Sequence, residues 1–250
     1  MMAIHIYLFV LGLILGSFFN VVGLSVPAGN SFANRRSACP SCGRTLTFFE
    51  LIPVISYMMQ YGKCRGCKAR ISPIYPSVEM LTGVLFASAP IFLGWSDELW
   101  VGWTLISLFM IIFVSDVAYM LIPDKILLFF MAIFTVLRVS FPLSPWWDSI
   151  VGAAIGFSLL LLIAVVSKGG MGGGDIKLFA VIGFVLGMKM VLLSFLFACF
   201  FGAFLGIIGL LTGVLKKKTL IPFGPYIVLG TLTAYFWGDS LLHWYITFLR

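Results

Sequence analysis

Apolar residues in this chain run in long blocks rather than alternating or recurring on one helical face. About eight blocks stand out, at residues 3–26, 77–95, 100–115, 126–141, 150–166, 175–187, 190–215 and 226–249. Most approach the roughly 17–25 residues that a helix needs to cross about 30 Å of hydrocarbon. Most links are short (94–99, 116–125, 142–149 and 167–174), which predicts antiparallel neighbours in one bundle. Glycines four apart, Gly12 and Gly16, Gly152 and Gly156, Gly202 and Gly206, Gly209 and Gly213, predict places where helices approach closely. The exception to this pattern is 27–76, where polar residues, prolines and four cysteines replace the apolar runs. The expected organisation is a first transmembrane helix (1–26), a four-cysteine subdomain (27–76) and a helical core (77–250).

Composition narrows the class further. With 61% hydrophobic and 10% charged residues and a mean hydropathy of +1.12, the polar groups are too few to cover a water-soluble globule. The first block has no Lys/Arg flank before it and no small-residue cleavage site, so it reads as a retained helix and not a removed signal. The formal net charge of +7 could point to nucleic acid, but its distribution points to topology. Seven of the sixteen Lys/Arg (Arg35, Arg36, Arg44, Lys63, Arg65, Lys68, Arg70) lie in the long polar loop. If that loop is cytoplasmic, eight alternating spans also put Lys125, Lys168, Lys177 and Lys216–Lys218 inside, leaving Arg138, Lys189 and Arg250 outside or near it. Thirteen of sixteen cations then obey the positive-inside rule, with both termini outside and no nucleic-acid partner expected.

Cys39-Pro-Ser-Cys42 and Cys64-Arg-Gly-Cys67 are two CxxC pairs with 21 residues between them, a spacing at which paired knuckles bring four thiolates to one tetrahedral zinc. Gly43 and Gly66 suit the tight turns of such knuckles. Two disulfides or redox dithiols are the alternative, disfavoured in the reducing cytosol. A four-sulfur sphere is closed, so the zinc would be structural. The expected fold class is therefore an all-α polytopic membrane protein with a small cytoplasmic zinc-binding loop subdomain. Cys199, alone in an apolar block, reads as packing.

Nine acidic residues are few enough to take singly. Asp97, Glu98, Asp148 and Asp239 fall in or near outer segments and Glu50 in the polar loop, where solvation accounts for them. Asp124 follows Pro123 and reads as a helix cap. Asp116 ends an apolar run, where a negative charge opposes the helix dipole. Asp175 follows Gly169, Gly170, Gly172, Gly173 and Gly174. On position alone it stands between a helix N-cap and a catalytic acid. Two carboxylates converging at one membrane face suit peptide hydrolysis, one as general base and the other as acid. A phosphate cradle is disfavoured, because no Gly-Lys-Ser/Thr follows the glycines and no strand precedes them.

At these residues the chain resembles the type IV prepilin peptidases along nearly its whole length. The matching segments are Gly16-Ser-Phe-Phe-Asn20-Val21, the two CxxC pairs with Leu51-Ile-Pro53 and Gly62-Lys-Cys64, and Tyr75-Pro-Ser-Val-Glu79. Asp116 with Ile122-Pro-Asp124, Gly172-Gly-Gly-Asp175-Ile-Lys177 and Pro222-Phe-Gly-Pro225-Tyr226 complete the series. The resemblance implies a GxGD-type aspartyl protease of the bacterial inner membrane. Such an enzyme removes the leader of prepilins or pseudopilins at the cytoplasmic face. It implies Asp116 and Asp175 as the catalytic pair, the four cysteines as zinc ligands, and Glu79, Gly172, Gly174 and Lys177 near the active site. Many members also methylate the new N-terminus with S-adenosylmethionine, which makes that molecule a second implied cofactor. The family often carries Arg shortly before a Pro after its first motif, where Ser25 precedes Pro27 here. The alternatives are a peptidase without methyl transfer, a zinc-bearing scaffold that cuts nothing, and a proton-coupled transporter.

Overall fold

The computed structural model describes residues 2–29, 37–213 and 222–248. Arg35, Arg36, Lys216–Lys218, Arg250 and the last residues of the blocks at 190–215 and 226–249 lie outside them. The described chain is helical, without a named strand: α1 (Met2–Ser25), the short α2 (Ile55–Met59), α3 (Ile74–Leu93), α4 (Glu98–Tyr119), α5 (Asp124–Ser140), α6 (Asp148–Val166), α7 (Gly173–Leu211) and α8 (Gly224–Phe248). In hydrocarbon only a helix satisfies its own amides and carbonyls, so long apolar blocks take this form.

Among the described residues, five helices, α1, α3, α4, α6 and α7, are long and apolar enough to cross a membrane. The expected count of about eight spans is not reached on these terms. The 17-residue α5 carries Asp124, Lys125 and Arg138. Asp239, His243 and several Thr and Tyr dilute α8. The 39-residue α7 runs through two expected spans, 175–187 and 190–215, and breaks between them at Gly187.

The chain divides into two compact units, Met1–Ala118 and Tyr119–Arg250. In the first, α1 and α3 pack antiparallel with backbone against backbone. A Cβ at Gly12 would lie 2.8 Å from Gly83 Cα, and one at Gly16 would lie 2.8 Å from Glu79 Cα. The last turn of α1 and the first of α3 therefore lie at the same end, and the four-cysteine segment leaves and returns there. Helix α4 runs parallel to α1. The Trp103 indole donates to Phe86 O at 3.1 Å, and Gly23 faces Val114 and Ile111. This register brings Asp116 to the four-cysteine end of the unit. Leu105, Ile106, Leu108, Phe109, Met110 and Ile112 are fully buried, as expected of a helix that is apolar all round.

In the second unit, Gly152 and Gly156 of α6 meet the backbone of Gly183 and Phe179 on α7, and Gly230 of α8 meets Ser194 and Ala198. Two of the four glycine pairs noted in the sequence thus sit at helix contacts. Gly206 faces open space, and Gly213 ends α7 in a left-handed conformation at φ +71°.

The break at Gly187 (φ 80°, ψ 175°) leaves carbonyls unpaired on one side and an amide on the other. Arg138, which the sequence puts outside or near the outer side, is buried. Its Nε donates to Val185 O at 2.9 Å and its Nη1 to Phe141 O at 3.4 Å. Asp148 Oδ1 accepts Met188 N–H at 3.1 Å. A cation thus ends the first arm of α7 and an anion begins the second, each matching its helix dipole. A side chain at Gly187 would collide with the Asp148 carboxylate and force a left-handed Cβ residue, at a cost of about 1–3 kcal/mol. Gly187→Ala is therefore expected to lower the thermal unfolding midpoint in detergent by several degrees while Gly206→Ala leaves it unchanged. Equal midpoints for the two variants would refute this account of the break.

Candidate active site and metal centre

The four-cysteine segment is built from two matching knuckles. In the first, Cys39 N donates to Arg44 O (2.9 Å) and Gly43 N to Cys39 O (2.9 Å). In the second, Cys64 N donates to Ala69 O (2.9 Å) and Lys68 N to Cys64 O (3.0 Å). Each is closed by one antiparallel bridge, Ala38 with Thr45 and Lys63 with Arg70. Gly43 and Gly66 both lie in the knuckle turns, and the left-handed positions are Gly43 (φ 69°) and Lys68 (φ 60°). Gly66 is small for a different reason: its Cβ would lie 3.2 Å from Arg44 Nε.

All four Sγ atoms lie within 4.8 Å of one another, and Cys39 and Cys67 Sγ are 3.8 Å apart. A metal at about 2.3 Å from four sulfurs sets a tetrahedral edge of about 3.8 Å, so the cluster could hold such an ion. The N–H groups of Cys67 and Gly66 pull the Cys64 thiol down to about 6, and those of Cys42 and Ser41 lower Cys39. Cys67 receives the Ala69 N–H, yet burial and the hydrogen bonds it shares with Cys42, Cys39 and Cys64 push it up to about 11. A cation bound by the four sulfurs would favour their thiolate forms.

Glu50, assigned from sequence to solvent, is buried. It accepts from Arg44 Nη2 at 2.6 Å and from Thr47 N and Oγ1, both at 2.9 Å. The Thr47-x-x-Glu50 spacing is a capping box and was legible as one. The Arg44 hydrogen bond, then the Thr47 N–H, hold the Glu50 carboxyl at about 2.

Glu79 is buried in α3 and accepts Val54 N–H at 2.8 Å. Val54 is β-branched at φ 60°, a conformation that survives only where surroundings enforce it. Asn20, 2% exposed, donates from Nδ2 to Tyr75 O at 3.1 Å. Neither link was readable from residue types, though both acceptor and donor lie in the motifs singled out above.

Asp116 is buried near the end of α4. Asp175 is not a cap. Gly172 holds the N-cap position (φ −71°, ψ 142°), and Asp175 is the third residue of α7. A Cβ at Gly172 would lie 3.1 Å from Asp175 Oδ2, one at Gly174 would lie 2.8 Å from Ile122 Cβ, and Gly173 faces open space. Lys177 Nζ pairs with Asp124 Oδ2 at 2.6 Å, with both side chains more than half exposed. Pro123 takes the N-cap place before Asp124. The second unit thus gathers Gly172, Gly174, Asp175, Lys177 and Asp124, while Glu79, the four cysteines and Asp116 belong to the first.

Two family models match the chain: the bacterial peptidase A24 N-terminal domain over residues 10–92 and the type IV leader peptidase family over residues 103–207. The chain is 48% identical over 239 residues to a prepilin leader peptidase/N-methyltransferase of Bacillus subtilis, covering 96% of each. It is 36% identical to the protein so named in Aeromonas hydrophila, over 85% of this chain and 75% of that one. For the counterpart of Pseudomonas aeruginosa the identity is 31%, over 95% of this chain and 92% of that one. No solved structure matches.

Because the Glu50 carboxyl is depressed from 4.5 to about 2, its contribution is complete above pH 4.5 and is lost as pH falls toward 2. Amide-exchange protection of residues 44–51 is expected to follow that window, and Glu50→Gln to show the unprotected state at pH 7. Undiminished protection in the variant would remove Glu50 from this role.

Proposed function

The chain belongs to the type IV leader peptidase family, and on that premise we propose that it removes the leader of prepilins or pseudopilins with Asp116 and Asp175 as its two carboxylates. The observation that carries the reading is Asp175 itself, set in the first turn of α7 beside glycines that leave its carboxylate approachable by an extended peptide. Asp116 lies at the end of α4, and the chain running on from it reaches Asp124, the partner of Lys177. In this mechanism the ionised carboxylate takes a proton from water as the water oxygen attacks the scissile carbonyl carbon. The protonated carboxyl donates to the carbonyl oxygen. As the tetrahedral intermediate collapses, the C–N bond breaks and the leaving amine takes a proton from the dyad. Gly172 leaves space beside Asp175 Oδ2, Gly174 makes room for Ile122, and Lys177 is held by Asp124 as a nearby cation.

The tetrahedral fit of the sulfurs supports Zn2+ held by Cys39, Cys42, Cys64 and Cys67, organising the loop without touching the reaction. S-adenosylmethionine would supply a methyl group to the new N-terminal amine. The basic residues of the polar loop favour the cytoplasmic side of a bacterial inner membrane for both activities.

Co-expression with a prepilin is expected to give full leader removal by the parent chain and none by Asp116→Asn or Asp175→Asn; processing by either variant would end the dyad assignment. Mass spectrometry of the processed product is expected to find one added methyl on its N-terminal amine, and an unmodified amine would restrict the enzyme to cleavage. Metal analysis of anaerobically purified protein is expected to return one zinc per chain, lost in Cys64→Ser. A metal-free parent protein would rule out the zinc.

A further inference from the structure

Six large apolar side chains stand exposed on a part of the protein that spans no membrane. Phe48, Phe49, Leu51, Ile55, Met58 and Met59 lie within twelve residues of the four-cysteine unit, Phe48 at 78% and Met58 at 69% exposure. In the spanning helices lipid accounts for such faces. Three observations bear on these side chains.

The first is depth. Val54, in the middle of this apolar turn, donates its N–H to Glu79, the sixth residue of α3. At 1.5 Å per residue that is about 7.5 Å along the helix from its start. The turn is therefore pulled down alongside the first turns of a spanning helix instead of projecting beyond it. The second is tethering. Because α1 and α3 are antiparallel neighbours, both ends of the segment are anchored at one membrane face, which holds the turn there at high effective concentration. The third is charge. Lys63, Arg65, Lys68 and Arg70 follow the turn directly and are exposed. No ion pair among the described residues engages them, while the sole acid of residues 37–73, Glu50, is taken by Arg44.

We propose that the apolar turn 48–59 inserts into the headgroup layer of the bilayer that α1 and α3 cross, with the neighbouring cations on anionic lipid phosphates. Apolar side chains at the depth of the interface with Lys and Arg beside them form the pattern by which a surface element reads an anionic membrane. The four-cysteine unit is then held against the bilayer by its own side chains as well as by its two tethers.

The full chain, with a photoreactive benzoylphenylalanine at Phe48 or Met58, would be placed in nanodiscs of phosphatidylcholine with a minority of phosphatidylglycerol. After irradiation, protein adducts are weighed. The expected result is lipid adducts from both positions, enriched in phosphatidylglycerol several-fold above its share of the disc, and none from the same probe at exposed Ser41. With Arg65→Gln and Lys68→Gln together, adducts at Met58 should persist and the phosphatidylglycerol enrichment fall. Three outcomes overturn the proposal: no lipid adduct at either position, adducts without headgroup preference, or cross-links to a protein in native membranes in place of lipid.

Discussion

A hydrocarbon layer offers a backbone amide no partner, so every N–H and C=O within it must be satisfied by the chain itself. That constraint governs this protein more than any single contact. It makes the apolar blocks helical, and it removes the usual driving force for packing them, since lipid is as apolar as leucine. Close contact has to come from shape. Helix backbones therefore meet at Gly12 against Gly83, Gly152 against Gly183 and Gly230 against Ala198. Where helical bonding stops, polar groups replace it, as Arg138 and Asp148 do on either side of Gly187.

Much of this was legible in the residues. Blocks of apolar sequence marked the helices, and paired CxxC motifs marked the four-thiol cluster. What escaped the sequence shares a physical reason. The burial of Arg138 is one case, because it depends on a carbonyl on another helix, opened by a break 49 residues later at Gly187. Glu79 and Asn20 belong to recognisable motifs, yet their partners are backbone atoms of Val54 and Tyr75, and a backbone atom leaves no trace in residue identity. Glu50 is the instructive case, for its Thr47-x-x-Glu50 signature was present and solvation was the simpler reading. Asp175 was balanced between cap and acid because sequence could not say which residue begins α7. Once Gly172 takes the cap position, the carboxylate is released from that duty.

The two units divide the chemistry as well as the chain. The first carries the cysteines, the Val54 tether and Asp116; the second carries the glycine turn with Asp175, Lys177 and Asp124. In each, the groups of interest lie where a spanning helix starts or ends. At the end of a spanning helix a carboxylate can reach water without being buried in hydrocarbon.

The two knuckles superpose in their hydrogen bonding at an offset of 25 residues, Cys39 with Cys64, Gly43 with Lys68 and Arg44 with Ala69. Each contributes two sulfurs to the four-thiol cluster. During synthesis the first half leaves the ribosome after α1, and its complement follows shortly before α3. The clasp can close only if both halves end on the same side of the membrane. An α1–α3 hairpin, with both knuckles in the segment that links its two helices, meets that condition by its connectivity alone.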